Sequence, residues 1–278
     1  MIDAREIISQ QKLDGSWGNF HCLSWPVKGQ ALSTEQALRR LYILGYTAED
    51  KPIRRAIKYM ERHLGKPVST IFYEQKHDPK LYTDLMLAAW LRLFVPEHPG
   101  AMRIARQWAA VLEADFETGE RNQENYLQAF QEQFGKVPNL NAPCLMNFFT
   151  FYHMILLQDV LSRETENAML DWMISNPKGM SYVYEKPLNE PPEFLSRGAS
   201  RYLGALEVLA DYKLAPEKLG FAVEWLNAHK VNGQWDMGAK AKDGVYFPIS
   251  ENWRNLEDRR QDCTQRITKL LYKITQRG

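Results

Sequence analysis

The sequence has few cysteines and no segment that could carry it into or across a membrane. Its three cysteines, Cys22, Cys144 and Cys263, are far apart and odd in number, which argues against a disulfide framework. The first residues lack the apolar core of a secretion signal. The longest apolar stretch, residues 144–157, is too short to span a bilayer. We therefore expect a soluble, cytoplasmic protein without a membrane span.

The sequence also lacks an excess of charge of either sign. Its formal net charge is +1, from 35 basic and 34 acidic residues, so no global field favours nucleic acid or an anionic surface. We predict neither partner. The chain also contains no low-complexity linker or shift in composition. With 278 residues, of which 45% are hydrophobic, it can bury one large core, and we predict a single domain over residues 1–278.

A short motif near the start of the chain returns near its end. Residues 11–18 read Gln-Lys-Leu-Asp-Gly-Ser-Trp-Gly, and residues 229–236 read His-Lys-Val-Asn-Gly-Gln-Trp-Asp. Both copies follow a helical pattern. The equivalent pairs are Gly15 with Trp17 and Gly233 with Trp235. Weaker copies place glycines at 65, 119 and 179, so the five glycines are 50, 54, 60 and 54 residues apart. This spacing predicts an internal structural repeat.

Each repeat contains two helical patterns of different character. Written as a helix, residues 52–64 have one apolar face and one charged face, as expected of an outer helix. Residues 81–95 are apolar on nearly every side, as expected of an inner helix. Proline residues and capping motifs mark the N-terminal ends of several predicted helices. The predicted helices, outer and inner in turn, are 3–12, 33–45, 51–64, 81–95, 99–114, 141–161, 163–175, 197–212, 216–229 and 260–276, with a further short helix at 123–134.

This order predicts an all-α fold, namely an α/α toroid of about five helical hairpins. The chain starts with an outer helix and ends with an inner one, so we expect those two helices to pair and close the ring. At the repeated turn, glycine would allow the backbone to reverse after the outer helix, and tryptophan would pack over the next hairpin. Gly15, Trp17, Gly233 and Trp235 are therefore predicted to be structural residues.

The spacing Gln11-x-x-x-Gly15-x-Trp17 resembles the QW motif of the squalene-hopene and oxidosqualene cyclases. Residues 41–45, Leu-Tyr-Ile-Leu-Gly, and residues 56–60, Ala-Ile-Lys-Tyr-Met, are similar to the repeat of the terpenoid cyclase and protein prenyltransferase toroids. The resemblance covers the chain at the level of the repeat, although only the terminal copies are close matches. It implies the toroid fold and a small, mostly apolar ligand with an anionic head.

The catalytic motifs of those families are missing. The chain has neither the Asp-x-Asp-Asp acid of triterpene cyclases nor the Asp-Asp-x-x-Asp diphosphate signature. The zinc site of protein prenyltransferases needs Asp-x-Cys and a later histidine, whereas Asp262 and Cys263 are adjacent and no histidine follows them. The Cys-Gly-Glu-Gln thioester of complement-type toroids is absent as well. We therefore predict no metal and no cofactor.

The repeat nevertheless predicts where a ligand would bind. Each glycine turn leads through a long loop to an inner helix, so these loops and the positive N-terminal ends of the inner helices would share one rim of the ring, which favours an anionic group. The last helix offers Arg259, Asp262 and Arg266 on one face, and an arginine fork suits phosphate or carboxylate. The predicted ligand-binding residues are Arg259, Arg266, Arg254, Trp253, Tyr82 and Tyr184. Packing aromatics and helical ion pairs are the alternative interpretation.

Three residues are candidates for catalysis. Asp262 and Asp84 lie near the starts of inner helices, where a carboxylate could act chemically or could simply complement the helix dipole. His153 lies midway along the most apolar helix, where it could be an acid–base group in the lumen or a hydrogen-bonded core histidine. Cys263 could be a nucleophile, but no base is near it in the sequence.

Three functions fit these observations. The first is a toroid that binds a small apolar or anionic-headed ligand. The second is a carbohydrate-active α/α-ring enzyme, a glycosidase or lyase, that would need two facing carboxylates from among Asp14, Asp84, Asp236 and Asp262. The third is a non-catalytic helical scaffold whose centre is filled by bulky inner side chains. Substrate and oligomeric state are not readable from the sequence.

Overall fold

A computed structural model of the chain describes residues 4–20, 32–66, 78–138, 150–241, 243 and 253–276. These residues form twelve α-helices, one short 3-10 turn at Ala239–Ala241 and three isolated bridges, and no strand. The helices are α1 Ala4–Ser9, α2 Thr34–Ile43, α3 Lys51–His63, α4 Pro79–Phe94, α5 Pro99–Asp115, α6 Gln123–Phe134, α7 Phe151–Leu156, α8 Arg163–Ser175, α9 Arg197–Leu209, α10 Ala215–Lys218, α11 Gly220–Ala228 and α12 Leu256–Gln276. The all-α class is thus confirmed for the described residues.

Side-chain caps set several helix starts. Ser33 and Gln36 form the capping box that begins α2: the Gln36 backbone N–H donates to the serine hydroxyl at 3.2 Å, and the Ser33 N–H donates to the glutamine side chain at 3.0 Å. Ser162 caps α8 in the same position, and Asn122 caps α6. Helices α6 and α8 begin and end where the sequence predicts.

Several predicted helices differ from the structure by a few residues at their ends; α12, for example, begins at Leu256 rather than at residue 260. Two differ more. The helix predicted over 141–161 ends at Leu156, and its predicted start lies outside the described residues. The apolar pattern continues past that end, but Asp159 has a φ of +60° and cannot prolong a helix. The helix predicted over 216–229 is interrupted at Leu219, which separates α10 from α11. Gly220 follows the break, and glycine is a poor helix former.

The five repeated glycines share one backbone conformation. Their φ angles are all positive: +96°, +73°, +85°, +57° and +82° for Gly15, Gly65, Gly119, Gly179 and Gly233. Each glycine follows the end of a helix, namely α1, α3, α5, α8 and α11. Left-handed backbone is costly for residues with a Cβ atom. The repeat seen in the sequence therefore recurs as a local structure, a glycine-dependent turn after a helix.

The contacts divide the chain into two compact units, and the division between Ile104 and Ala105 falls inside α5. In the first unit α1 packs on α2 and α3 packs on α4. Its core includes Leu38, Ile53 and Trp90, each almost fully buried. These helix pairs are successive outer and inner helices of the predicted repeat.

In the second unit α9 contacts both α7 and α12, while α10 contacts α8, α11 and α12. Helices α11 and α12 also pack together, as a further outer–inner pair. Trp108, Tyr152 and Tyr202 are completely buried in this unit. The toroidal closure of the ring and the assignment of the chain to a single domain stay predictions.

Candidate functional site

The two clearest motif copies make the same contacts. In each, the indole N–H of Trp17 or Trp235 donates to a carbonyl of the preceding helix, at 2.6 Å in the first copy and 2.7 Å in the second. Each tryptophan backbone N–H donates to a threonine hydroxyl of the following helix, Thr34 at 2.9 Å and Thr264 at 3.1 Å. Both tryptophans are buried. The motif therefore ties α1 to α2 and α11 to α12.

Three of the predicted site residues come together at the start of α12. The Trp253 indole N–H donates to the Asp262 carboxylate at 2.7 Å, and an Arg259 Nη donates to the Trp253 carbonyl at 2.8 Å. Arg259 also forms a two-point ion pair with Asp236, with Nη2 2.8 Å from Oδ2. The hydrogen bonds from Arg259 hold the pKa of Asp236 below its usual value. Trp253 and Asp262 are 1% and 5% exposed.

Arg266 and Arg254, the other two arginines of this segment, lie in different environments. Arg266 makes a two-point ion pair with Glu207 of α9, with Nη2 2.7 Å from Oε2, and it is 5% exposed. This pair links α12 to α9. Arg254, next to Trp253, is exposed. The structure thus places Arg259 and Arg266 on one helix as predicted, and it gives each of them a carboxylate partner from this chain.

Asp84 and Tyr82 belong to the first unit. One carboxylate oxygen of Asp84 accepts the Gly65 backbone N–H at 2.7 Å, and the other accepts from Lys80 one turn earlier in α4. Asp84 therefore holds one of the five glycine turns against the following helix. Tyr82 is 2% exposed in the core of this unit.

His153 is completely buried in α7. Its Nδ1 lies 2.8 Å from the Thr150 hydroxyl, and its ring meets the Trp108 ring edge to face with centroids 4.4 Å apart. Burial alone lowers the pKa of His153 to about 3, so the imidazole is neutral near pH 7. A neutral, enclosed imidazole has the environment of the core histidine that the sequence allowed as an alternative.

Tyr184 and Cys263 are also buried. The Tyr184 hydroxyl donates to the Glu190 carbonyl at 3.3 Å, and its ring packs against Tyr202 with centroids 5.1 Å apart. Burial raises the pKa of the Cys263 thiol to about 12, so the nucleophilic thiolate is strongly disfavoured. All three predicted aromatic ligand-binding residues, Tyr82, Tyr184 and Trp253, are at most 5% exposed. Their assignment to ligand binding stays a prediction.

The four carboxylates proposed for carbohydrate chemistry each have partners in the chain. Asp14 accepts from the backbone N–H of Ser16 at 2.9 Å and from its hydroxyl at 2.8 Å, which shapes the first glycine turn. Asp84, Asp236 and Asp262 are held by the contacts described above. Asp14 and Asp84 lie in the first unit, and Asp236 and Asp262 lie in the second.

Sequence reasoning missed a second group of charged residues in the second unit. Asp243 is 0% exposed and accepts from both Arg197 and Arg201 of α9. The spacing of the two arginines, one helical turn apart, was visible in the sequence. The burial of Asp243 was not, because it lies in a polar segment between Lys242 and Gly244. Glu207, the partner of Arg266, was also missed because it lies 59 residues away.

The chain has no significant match among known proteins: no protein family matches it, and no curated protein or solved structure is significantly similar to it. Across the described ranges, no helix is long and apolar enough to cross a membrane. The same residues contain no cluster of three or more histidine, cysteine or acidic side chains able to hold a metal ion. The resemblance to the terpenoid cyclase toroids thus stays a prediction.

Proposed function

We propose that this chain is a helical-repeat scaffold built on the α/α-toroid plan, in which the charged residues singled out above fasten helices to one another. The contact of Arg266 with Glu207 carries this proposal. It joins α12 to α9 through two parallel hydrogen bonds, and the arginine side chain is only 5% exposed. The toroid plan is supported by the five glycine turns and by the pairing of α1 with α2, α3 with α4 and α11 with α12.

Electrostatics explains why such an arginine serves the fold. A guanidinium taken out of water loses hydration, and a two-point carboxylate partner restores much of that interaction. Glu207 occupies the Nε and Nη2 edge of the Arg266 guanidinium, so a ligand anion could make a two-point contact at that edge only by displacing Glu207. Arg259 is in a similar position, since its side chain is 12% exposed and already meets Asp236 and the Trp253 carbonyl. Both pairs therefore favour a structural role.

A double-mutant cycle on Arg266→Gln and Glu207→Gln tests this role. Glu207→Gln leaves the buried Arg266 without a counterion, and we expect it to lower the free energy of unfolding by about 3 kcal/mol. Arg266→Gln should cost less, about 1–2 kcal/mol, because the Glu207 side chain is 30% exposed and can be hydrated. The double variant should be less destabilised than the sum, with a coupling energy of at least about 1 kcal/mol. Urea denaturation followed by circular dichroism gives the four values. The exposed pair Arg163 and Glu217 is the matched control, and we expect its coupling energy to be below about 0.5 kcal/mol.

The small-ligand hypothesis predicts a different result. Farnesyl diphosphate is a suitable probe, because it combines an apolar chain with an anionic head. If the scaffold proposal holds, farnesyl diphosphate does not bind at Arg259 or Arg266, so any change it causes in the melting temperature is the same in the wild type, Arg259→Gln and Arg266→Gln. A rise that disappears in Arg259→Gln and Arg266→Gln but persists in Arg163→Gln would contradict the scaffold and support a ligand site at these arginines.

A further inference from the structure

Two arginines on the first two turns of α9 converge on one buried carboxylate. The Nε atoms of Arg197 and Arg201 each lie 3.1 Å from the same oxygen, Oδ2 of Asp243. Asp243 is fully buried, whereas the arginine side chains are 64% and 46% exposed. The carboxylate is thus covered by two guanidinium groups that face solvent.

The neighbouring backbone fixes this arrangement. The hydroxyl of Ser200, the residue before Arg201 in α9, donates to the carbonyl of Ala241. Ser200 is itself fully buried. This contact holds the chain against α9 two residues before Asp243, so the position of the carboxylate does not depend on the arginines alone.

The arginines keep most of their hydrogen-bonding capacity. Each guanidinium has five N–H donors, and Nε is the only donor nitrogen that either uses toward a described residue. Toward the part of the chain that the structure describes, the Nη groups of both thus make no hydrogen bond, which leaves them to an acceptor from outside. Since both Nε atoms bond to one oxygen, they are no more than twice 3.1 Å apart. An oxyanion with several oxygens could contact both groups at once.

The local charge also favours an anion. Among the described residues, two guanidinium groups and one carboxylate leave an excess positive charge, and two like charges at this separation repel each other. A second anion would offset that repulsion. Arg259 and Arg266 differ in this respect, because each has its own carboxylate at two-point distance.

We propose that Arg197 and Arg201, held by Asp243, form a binding site for a phosphate-type oxyanion. The forked guanidinium matches the oxygens of phosphate, whereas a lysine ammonium is a point charge with no second nitrogen. The site lies outside every residue predicted from the sequence to bind a ligand. It goes beyond the scaffold function and does not depend on it.

Lysine substitutions test the site while keeping a cation beside Asp243. Inorganic phosphate is titrated by calorimetry into the wild type, Arg197→Lys, Arg201→Lys and the double variant at low ionic strength. We expect millimolar binding by the wild type and about tenfold weaker binding by the double variant, because four Nη groups are lost. Circular dichroism checks that each variant is folded. Phosphoserine, titrated in parallel, distinguishes the two possible sources of the phosphate group. If phosphoserine binds more tightly than inorganic phosphate, the ligand is a phosphorylated molecule; if the two bind equally, it is a free anion.

Arg163→Lys is the matched control. Arg163 also begins a helix of 13 residues that is capped by a serine, and its side chain is 69% exposed. Its substitution should leave phosphate binding unchanged. Equal losses in Arg163→Lys and Arg197→Lys would show a general surface effect and overturn the proposal. So would phosphate binding that the double variant retains in full, or no binding by the folded wild type.

Discussion

At the scale of single residues, burial decides what each candidate side chain can do. His153 illustrates this: histidine as a residue type suggests acid–base chemistry, whereas the surroundings of His153 make it a neutral residue of the core. Fully enclosed, with Thr150 beside Nδ1 and the Trp108 ring against its own, it carries no charge near pH 7. The sequence places His153 correctly on an apolar helix. It could not show the degree of enclosure, because Trp108 comes from α5, 45 residues earlier.

This burial makes stability depend on pH. The pKa of His153 is lowered from 6.5 to about 3 on folding, so below pH 6.5 the unfolded chain takes up a proton that the native chain does not. The contribution of His153 to stability is complete above pH 6.5 and is lost as the pH falls toward 3. We expect the free energy of unfolding to fall by up to about 1.4 kcal/mol per pH unit from this residue. Urea denaturation between about pH 7 and about pH 5 measures the slope.

Two variants isolate the contribution of the imidazole. His153→Gln should have a shallower slope than the wild type over this range, because the titrating group is gone. Thr150→Val removes the hydroxyl beside Nδ1 but keeps the imidazole buried, so it should lower stability at every pH without changing the slope. A His153→Gln slope equal to that of the wild type would contradict the neutral, buried state.

At the scale of elements, the glycine turns are the feature that the sequence predicts best. Their cadence could be read from five glycines, and all five adopt positive φ. Capped helices such as α6 and α8 were also predictable, since a cap and its partner lie within three residues. Contacts between residues far apart in the sequence were not predictable. Glu207 and Arg266 are 59 residues apart in the sequence, and Arg197 and Asp243 are 46 residues apart. These partners meet only in the folded chain, and no local sequence pattern specifies them.

The glycine turns differ in how closely the backbone atoms of other residues approach the glycine. A Cβ atom on Gly179 would lie 2.2 Å from the Tyr184 carbonyl oxygen and 2.3 Å from that of Lys186, whereas a Cβ atom on Gly233 would meet nothing within 4 Å. We expect Gly233→Ala to cost about 1 kcal/mol, from positive φ alone. Gly179→Ala should cost about 3 kcal/mol or more, because backbone must also move. Urea midpoints of the two variants measure the difference, and equal losses would contradict the close approach at Gly179.

At the scale of the whole molecule, the charges nearly balance, and some of them form ion pairs that hold helices together. The net charge is only +1, and buried or half-buried pairs link α9 with α12 and Asp236 with α12. Arg197 and Arg201 depart from this pattern, since two cations share one carboxylate there. A neutral chain can thus concentrate positive charge locally, which no total computed from the composition reveals.

The lack of a low-complexity linker or shift in composition predicts that the whole chain unfolds as one domain, although its contacts form two compact units. Cys263 provides a probe in the second unit: the thiol is fully buried and its pKa is raised to about 12 by burial, so a thiol reagent should modify it only after unfolding. Replacing Cys22 and Cys144 by serine leaves it as the single cysteine. Ala88→Cys, in a chain with all three natural cysteines replaced, places the probe in the buried part of α4 in the first unit.

Labelling of the two variants across a urea series compares the units directly. If the chain is one domain, both thiols become reactive at the same urea concentration, and that midpoint coincides with the loss of helical circular dichroism in each variant. The circular dichroism midpoint corrects for any stability lost through the substitutions. Two thiol midpoints that differ after this correction would show that the units unfold independently, and the prediction of a single domain over residues 1–278 would then be wrong.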